Sequence, residues 1–372
     1  MQATMVHIKK LPLHEFHQTL GARLGTFGEW EVPLYYSSVI DEHKAVRNRV
    51  GIFDISHMGE IYFEGRTARQ TLNYLLSAQV DRLVMGKALY SPVCNEKGGI
   101  VDDVIVYQLG EESYLVVVNA ANIAKDYDWF LSHNLKSAAI QNRSEEIGLL
   151  SIQGPNSLDL LKSIFPYPLE QMKYYSVLPG SNPWKNVLIA RTGYTGELGY
   201  EIFLMKKDLT DAYSVFLEKG KAFGIKPIGF GARDTLRLEA CMMLYGQDMN
   251  DETTPLEVGL ERTVFFDKEF IGRSALIQQK EKGISKKIVG FEMLGHGLAR
   301  HDYDVTKNGR SIGRVTSGSF SPTLKKNIGL AGVLLEESQM GHEIEIQIRQ
   351  NQVSAKIVAT PFYKKTTTGA RP

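Results

Sequence analysis

The chain has 372 residues, of which 43% are hydrophobic and 23% are charged. This length is too great for one ordinary hydrophobic core and predicts two or three domains. Its 43 Lys and Arg residues balance 42 Asp and Glu residues, which excludes the strong basic excess typical of proteins that bind nucleic acid or anionic membranes. Two cysteines exclude a disulfide framework and a four-cysteine zinc site.

The start of the chain carries no targeting pattern. Residues 1–10 lack the apolar segment of a secretory signal and are short for an Arg- and Ser-rich transit peptide. No apolar run in the sequence approaches the roughly 20 residues that a membrane span requires. We therefore expect a cytoplasmic protein of bacterial type, with neither membrane nor nucleic acid as a partner.

The first half of the sequence predicts a compact unit of mixed helices and strands. A helix is expected over residues 39–50, with Ser37 or Ser38 as its N-cap and Gly51 as its stop. Strands are expected over 61–63, 88–93, 103–107 and 114–119, and helices over 67–76 and 121–132. The short turns between the last three strands predict antiparallel hairpins, because parallel strands need longer crossovers.

The second half predicts a further mixed region and then a small all-β domain. Strands are expected over 146–151, 187–190 and 200–203, and helices over 157–164, 208–223 and 232–244. After residue 285, runs of β-branched and alternating residues predict strands over 287–291, 311–316, 328–335, 343–348 and 353–358. The chain is therefore expected to have an α+β fold whose C-terminal domain is a barrel or jelly-roll-like.

The strand over residues 103–107 brings an acid and a phenol onto one face. Side chains alternate in a strand, so Asp103, Ile105 and Tyr107 share the face opposite to Val104 and Val106. On the neighbouring strand, Leu115, Val117 and Asn119 form a second such row. Together the rows suit an apolar ligand pocket with a few polar anchors. The alternative is that Asp102 and Asp103 are turn or strand-edge acids that face water.

Three other segments carry residues of chemical interest. Residues 191–201 hold three glycines, two tyrosines and two carboxylates, which suits close approach of a planar amino-heterocycle or, alternatively, a long hairpin turn. Arg233 and Arg237 lie one turn apart and could grip a carboxylate or form an internal ion-pair network. His57 is interpreted as structural or pocket-lining, and the histidines show no metal-ligand spacing.

Taken together, these segments resemble the glycine cleavage T-protein family over nearly the whole chain. The blocks that carry the resemblance occur in order and are FGEWEVPLYY (27–36), GIFDISHMGE (51–60), CNEKGGIVDDVIVY (94–107), VVNAANIAKD (117–126), QGP (153–155), RTGYTGELGYE (191–201), GARDTLRLEACMMLYGQDM (231–249), the PxExGL pattern (255–260) and TSGSFSPTLKKNIGLA (316–331).

The resemblance implies both a fold and a reaction. The fold is expected to be a three-domain cloverleaf of antiparallel sheets with helices around a central folate channel. Its expected domains are 1–50 with 140–270, 51–139 carrying the acid-bearing strand, and 285–364. The expected enzyme is an aminomethyltransferase of glycine breakdown that uses tetrahydrofolate and no metal. Its expected partner is the lipoylated H-protein, with the P-protein and L-protein as indirect partners.

The resemblance also assigns residues. It implies that Asp103 is the essential catalytic acid. The positions that match folate contacts are Met58, Tyr90, Ile105, Tyr107, Val117, Asn119, Tyr194, Glu201, Arg233 and Lys364. Two of the family's positions differ here, because Met242 stands for an aromatic residue of some relatives and Lys364 for an arginine near the folate tail.

Three alternative functions differ from this reading. Folate-binding relatives that assist iron–sulfur cluster assembly carry a Lys-Gly-Cys-Tyr-x-Gly-Gln-type signature, whereas residues 241–247 read CMMLYGQ. Dimethylglycine or sarcosine oxidases need a flavin domain, and the sequence has no dinucleotide-binding fingerprint. The third alternative is a scaffold that only docks the H-protein. Ammonia release from the loaded H-protein would separate these functions.

Overall fold

The structure is a computed structural model that describes residues 8–365, so residues 1–7 of the expected first domain lie outside the described part. The α-helices of this part are α1 (His14–Thr19), α2 (Val39–Asn48), α3 (Ala68–Leu75), α4 (Ile123–Ser132), α5 (Ser157–Lys162), α6 (Leu209–Gly220), α7 (Phe230–Glu239) and α8 (Arg273–Lys282). The strands are β1 (Lys9–Lys10), β2 (Arg23–Phe27), β3 (Trp30–Tyr35), β4 (Val50–Asp54), β5 (Gly59–Glu64), β6 (Ala88–Cys94), β7 (Ile100–Gln108), β8 (Ser113–Val118), β9 (Ala139–Asn142), β10 (Ile147–Gln153), β11 (Val177–Gly180), β12 (Val187–Ala190), β13 (Gly199–Met205), β14 (Ile225–Pro227), β15 (Lys286–Met293), β16 (Asp304–Lys307), β17 (Arg310–Ser321), β18 (Lys326–Leu334), β19 (Glu343–Ile348) and β20 (Asn351–Val358).

The largest open sheet combines strands from distant parts of the chain. Its six strands lie in the order β11-β12-β13-β10-β4-β14, antiparallel except for the pairing of β14 with β4. Apolar side chains from β10, β12 and β13 pack against α5 and α6 in a core that includes Ile152, Ile202 and Phe216. A three-stranded sheet in the order β1-β3-β2 lies beside α7.

The second sheet has five strands in the order β6-β7-β8-β5-β9, all antiparallel. On one face Val104 and Val106 pack against α3 and α4. On the other face Tyr107 and Val117 pack against residues of β4, β13 and α7. The expected alternation along residues 103–107 is confirmed, and its second face is the one that meets the six-stranded sheet.

The expected domain limits stay a prediction. The strand pairings place β4, over Val50–Asp54, in the six-stranded sheet and β9, over Ala139–Asn142, in the five-stranded sheet. Both strands lie at the expected limits at residues 50–51 and 139–140. The limit at residues 50–51 falls within β4, which is hydrogen-bonded to a strand on each side. The limit at residues 139–140 falls within β9, which is the edge strand of its sheet.

The C-terminal domain is a closed barrel of six antiparallel strands in the order β15-β18-β17-β16-β19-β20, and β20 returns to pair with β15. Its interior holds alternating apolar residues such as Val305, Val315 and Ile346. The α+β class is confirmed, and closure of the six strands decides for a barrel over a jelly roll.

Two helix ends differ from the sequence prediction. Ser38 caps α2 by accepting a hydrogen bond from Asp41, as expected, but Gly51 lies inside β4 and is not a helix stop. A Cβ on Gly51 would lie 2.4 Å from Ile228 Cγ1, so close packing requires the glycine. The predicted helix over 232–244 ends at Glu239, because Cys241 adopts a left-handed backbone with φ of 53°.

Helix α7 is joined to the barrel by buried polar contacts. Arg237, 1% exposed, donates to Asp248 at 2.6 Å and to Ser317 on β17 at 2.8 Å. Glu239 accepts from the side chains of Ser321 at 2.5 Å and Thr323 at 2.8 Å. Arg237 therefore forms the internal ion-pair network that was one of its two sequence interpretations.

Candidate active site

The predicted catalytic acid lies on the central part of the five-stranded sheet. Asp103 is half-buried on β7, opposite Pro92 of β6, and its carboxylate accepts a hydrogen bond of 2.9 Å from Asn119 Nδ2. Burial and the negative charge of Asp102 raise the pKa of Asp103 to about 7, while hydrogen bonds from Tyr90 and Asn119 lower it. A carboxylate with such a pKa can accept or hold a proton near neutral pH.

Tyr90 is the neighbour of Asp103 on the cavity side. Burial and the charge of Asp103 raise the pKa of Tyr90 well above its usual value, so this phenol keeps its proton. It can therefore donate a hydrogen bond to the Asp103 carboxylate. Because Asp103 itself does not line either of the two cavities described below, Tyr90 is the side chain that connects it to the larger one.

A second buried carboxylate lies across from this sheet, on β13. Glu201 is 8% exposed and accepts a hydrogen bond of 2.6 Å from Thr192 Oγ1. Thr192 Oγ1 also lies 3.2 Å from the hydroxyl of Tyr107 on β7, so these three side chains bridge the two sheets. Burial raises the pKa of Glu201, and the hydrogen bond from Thr192 lowers it.

A cavity of about 480 Å³ opens beside Tyr90. Apolar side chains line much of it, and Tyr174 and Tyr175 contribute to its wall. Four cationic residues lie on its lining: Arg82, Lys87, Lys173 and Arg262. Within residues 8–365 no carboxylate contributes to this lining, so the cavity suits a neutral or acidic ligand.

A second cavity, of about 250 Å³, lies at the start of α7. Arg233 lines it and stacks over the ring of Tyr194 at 4.7 Å, and burial lowers the pKa of Arg233. Among the described residues Arg233 makes no ion pair, whereas Arg237 is held by Asp234 and Asp248. Arg233 is thus the guanidinium that can receive a ligand carboxylate.

The structure brings most of the predicted site residues to one place. Met58, Ile105, Tyr107 and Val117 belong to a single apolar cluster between the two sheets. Tyr90, Asn119, Glu201 and Asp103 provide its polar groups. Their roles in binding and catalysis stay predictions.

Lys364 is apart from these residues. Its side chain is exposed, and the ammonium that turns inward is that of Lys365, 2.9 Å from Glu197. Next to it, the Arg47 guanidinium lies 4.0 Å from the ring centre of Tyr363. The contact of Lys364 with a folate tail stays a prediction.

Sequence reasoning missed two kinds of residue. Tyr175 lines the larger cavity with a left-handed backbone, φ 57°, which is strained for a bulky side chain and is a frequent mark of functional sites. Thr192 connects Tyr107 to Glu201. Neither stood out in the sequence, because a Tyr-Tyr pair and a single Thr carry no pattern of their own.

Other features limit the kinds of site. His57 is 2% exposed between Phe27 and Phe230, and burial lowers its pKa to about 3, so the neutral ring is part of the packing. Over residues 8–365 the structure has no group of three or more His, Cys, Asp or Glu side chains that could hold a metal ion. None of the described helices is both long and apolar enough to cross a membrane.

Comparison with known proteins gives consistent matches along the chain. Residues 13–268 match the family model described as the GCVT N-terminal domain, and residues 286–364 match that of the glycine cleavage T-protein C-terminal barrel domain. An aminomethyltransferase of Halothermothrix orenii is 46% identical over 356 residues, which cover 95% of this chain and 100% of that protein.

Two further proteins show the same likeness. An aminomethyltransferase of Bacillus pumilus is 46% identical over 362 residues, which cover 96% of this chain and 99% of that protein. The solved structure of the glycine cleavage system aminomethyltransferase T from Bartonella henselae has a TM-score of 0.91 at 31% identity, covering 96% of this chain and 98% of that one.

Proposed function

Because this chain belongs to the glycine cleavage T-protein family of aminomethyltransferases, we propose that it takes the aminomethyl group from the lipoyl arm of the glycine cleavage H-protein. In this reaction the carbon–sulfur bond and the carbon–nitrogen bond of the aminomethyl group both break. The sulfur leaves as the thiol of the dihydrolipoyl arm, the nitrogen leaves as ammonia, and the carbon joins tetrahydrofolate as methylene-tetrahydrofolate.

The observation that carries this proposal is the half-buried carboxylate of Asp103 beside Tyr90, which lines the larger of the two cavities. Through Tyr90 the acid is connected to the larger, cation-lined cavity. Tyr194 lines the smaller cavity, and the charge of Asp103 is one of the causes that raise the pKa of Tyr194. A reaction that joins two substrates needs an acid–base group where they meet.

The smaller cavity has two groups that suit a folate. The guanidinium of Arg233, which makes no ion pair among the described residues, would bind a glutamate carboxylate by two parallel hydrogen bonds, and Tyr194 would lie against an aromatic ring. Glu201, which is buried between the sheets and outside this lining, would accept hydrogen bonds from the N–H edge of a pterin that extends to it. When bound, tetrahydrofolate supplies the nitrogen atoms that take up the one-carbon unit.

Asp103 would hold or accept the proton that is lost when a nitrogen atom forms its new bond. Its pKa of about 7 matches this task, since a base works best when its pKa lies near the working pH. A well-placed base of this kind contributes roughly 10²–10⁴-fold to the rate. Tyr90 and Asn119, which both donate to Asp103, would keep the carboxylate in one orientation.

The larger cavity is the proposed entrance for the donor. Its apolar lining suits the hydrocarbon part of a lipoyl arm. Arg82, Lys87, Lys173 and Arg262 make no ion pair within residues 8–365 and would face acidic residues of a carrier protein. The P-protein and L-protein would act on the same carrier before and after this step, which makes them indirect partners.

The test is ammonia release from aminomethyl-loaded H-protein, measured with and without tetrahydrofolate. We expect folate-dependent release of one ammonia for each methylene-tetrahydrofolate formed. Binding of the H-protein without folate-dependent ammonia release would instead support the scaffold alternative. As a control, the same assay with lipoyl H-protein that carries no aminomethyl group should release no ammonia.

A further inference from the structure

Behind Asp103 lie two carboxylates that are completely buried. Asp102 on β7 and Asp126 on α4 are both 0% exposed. Two ionised carboxylates in such a place would repel each other and lose their hydration, which is costly. Their hydrogen-bond partners decide which one carries the charge.

Asp102 has the surroundings of an ionised carboxylate. It accepts hydrogen bonds from the backbone N–H of Asn119 at 3.0 Å and from Asn119 Nδ2 at 2.8 Å. A third comes from Asn122 Nδ2 at 2.7 Å. Three N–H donors on one carboxylate stabilise its charged form.

Asp126 has the opposite surroundings. Neither of its carboxylate oxygens meets an N–H or O–H donor within residues 8–365, and the group that it faces is the carboxylate of Asp102. The nearby ammonium of Lys125 is held by Val101 O at 2.6 Å and Tyr245 Oη at 2.8 Å. Burial and the charge of Asp102 raise the pKa of Asp126 strongly, which favours the protonated carboxyl group, and its O–H could then donate to Asp102.

Asn119 connects this pair to the proposed base. Its Nδ2 donates to Asp102 Oδ1 at 2.8 Å and to Asp103 Oδ1 at 2.9 Å. The backbone oxygen of Asp103 also lies 3.2 Å from this nitrogen, and its two hydrogens suffice for one hydrogen bond to each carboxylate. The amide orientation is fixed, because turning it over would place its oxygen against both carboxylates.

We propose that protonated Asp126 is a positioning residue for Asp103: its O–H holds Asp102 as a single negative charge, and Asp102 orients Asp103 through the Asn119 amide. The inference rests on the proposed function only in that it treats Asp103 as the base. The hydrogen-bond arrangement itself is independent of the reaction.

The charge at Asp102 also affects the protonation of Asp103. Charged and titratable groups reach Asp103 from every side: Asp102 on the same strand, Tyr90 on β6, Asp126 on α4, and Tyr175 and Tyr194 from the facing loops. Around Asp102 and Asp126 lie Lys125, Tyr245 and Asp251. Of these charges, that of Asp102 is the one that raises the pKa of Asp103.

The first experiment follows the carboxyl carbon of Asp103 by ¹³C NMR across pH in the full-length protein, with Asp103→Asn to assign the signal. If Asp126 is neutral, Asp126→Asn keeps a hydrogen-bond donor to Asp102 and leaves the negative charge of Asp102 unchanged. The titration midpoint of Asp103 should then stay near that of the wild type. The double variant Asp102→Asn/Asp126→Asn removes the charge and should lower the midpoint by about one pH unit or more.

Two outcomes would overturn the inference. One is a single Asp126→Asn variant that gives half or more of the shift of the double variant, because Asp126 would then have been ionised. The other is a double variant without a shift. Neither readout depends on aminomethyl transfer, so failure of the proposed function and failure of this inference are distinguishable.

The second experiment compares kcat for two substitutions at Asp126. Asp126→Ala removes the donor to Asp102 and should lower kcat about tenfold or more, with a smaller change in KM for tetrahydrofolate. Asp126→Asn should recover most of that loss, since its amide donates where the acid did. A loss in Asp126→Asn as large as in Asp126→Ala would contradict the positioning role. If Asp126→Ala does not fold, the NMR comparison still decides.

Discussion

Replacing Asp103 with Asn tests the proposed base with little change in shape. The amide oxygen of Asn can still accept the 2.9 Å hydrogen bond from Asn119 Nδ2. What the variant loses is the ability to take up a proton. The expected effect is therefore on the chemical step and not on the fold or on folate binding.

The magnitude follows from the surroundings of the carboxylate. A pKa of about 7 means that about half of the molecules carry the ionised base at pH 7, so incomplete ionisation reduces the rate only about twofold. The loss in Asp103→Asn should then be close to the full contribution of a general base, roughly 10²–10⁴-fold, or about 3–5 kcal/mol of transition-state free energy. In the wild type the rate should also fall about tenfold per pH unit below pH 7, and this decline should be absent from the residual activity of the variant.

Three measurements decide the outcome: folate-dependent ammonia release, equilibrium binding of tetrahydrofolate and a thermal melt. The pKa of Asp103 is raised on folding, so its contribution to stability is full below about pH 3.8 and is lost as pH rises to about 7. The Asn variant lacks this loss and should be no less stable than the wild type at pH 8. Turnover within about threefold of wild type would refute the assignment of Asp103 as the base.

Three further substitutions test the surroundings of the site. Glu201→Gln should weaken tetrahydrofolate binding about tenfold or more, measured by calorimetry, with little change in Tm. The reason is that a hydrogen bond to a charged acceptor contributes about 1.5–3 kcal/mol to binding. An unchanged Kd would count against a contact between Glu201 and the folate. Arg237→Met should lower the free energy of unfolding in urea by about 3–5 kcal/mol, because it leaves the Asp248 carboxylate buried without its partner. As a control, substitution of the exposed arginine in Arg310→Met should lower the free energy of unfolding by under about 1 kcal/mol. Equal losses in the two variants would contradict this reasoning. Glu60 is fully buried without a hydrogen-bond partner for either carboxylate oxygen within residues 8–365, and burial raises its pKa well above 4.5. The favourable contribution of Glu60 to stability is full below about pH 4.5 and is lost as pH rises through the raised pKa. Glu60→Gln should therefore have a higher Tm than the wild type near pH 9 but not near pH 4. Parallel curves of Tm against pH for the two proteins would contradict this prediction.

Local patterns predicted the part of the site that depends on alternation within one strand. Val104 and Val106 pack on the helix side, and Ile105 and Tyr107 face the other sheet, as the two-residue period of a strand requires. The β-branched runs after residue 285 likewise indicated an all-β domain, although they left a barrel and a jelly roll open and did not include β16. In both cases neighbours in sequence decide the type of element, whereas closure of the barrel depends on the pairing of β20 with the distant β15.

Features that depend on distant contacts were not predictable. Gly51 has the appearance of a helix stop, but its absent side chain makes room for Ile228, which is remote in sequence. The helix over Phe230–Glu239 was expected to be longer, since nothing local marks the left-handed backbone at Cys241. Asp126 occupies an ordinary position on an amphipathic helix, and only the fold shows that it faces Asp102.

The strands β2 and β3 were missed for a similar reason. Their residues, Arg23–Phe27 and Trp30–Tyr35, are mostly half-buried or exposed, so they lack the clear alternation of a strand with one buried face. Hydrogen bonding between them stabilises a small sheet that lies against α7. Such peripheral pairings depend on what they cover and are weakly encoded in local composition.

The buried contacts between α7 and the barrel have a consequence for how this molecule can evolve. A recombination event near residue 285 would join the first part to a foreign barrel, whose loops would have to present hydroxyl groups where Ser317 and Ser321 now lie. Without them Arg237 and Glu239 would lose partners in a place that water does not reach. The two parts are therefore expected to be inherited as a matched pair and exchanged only among close relatives.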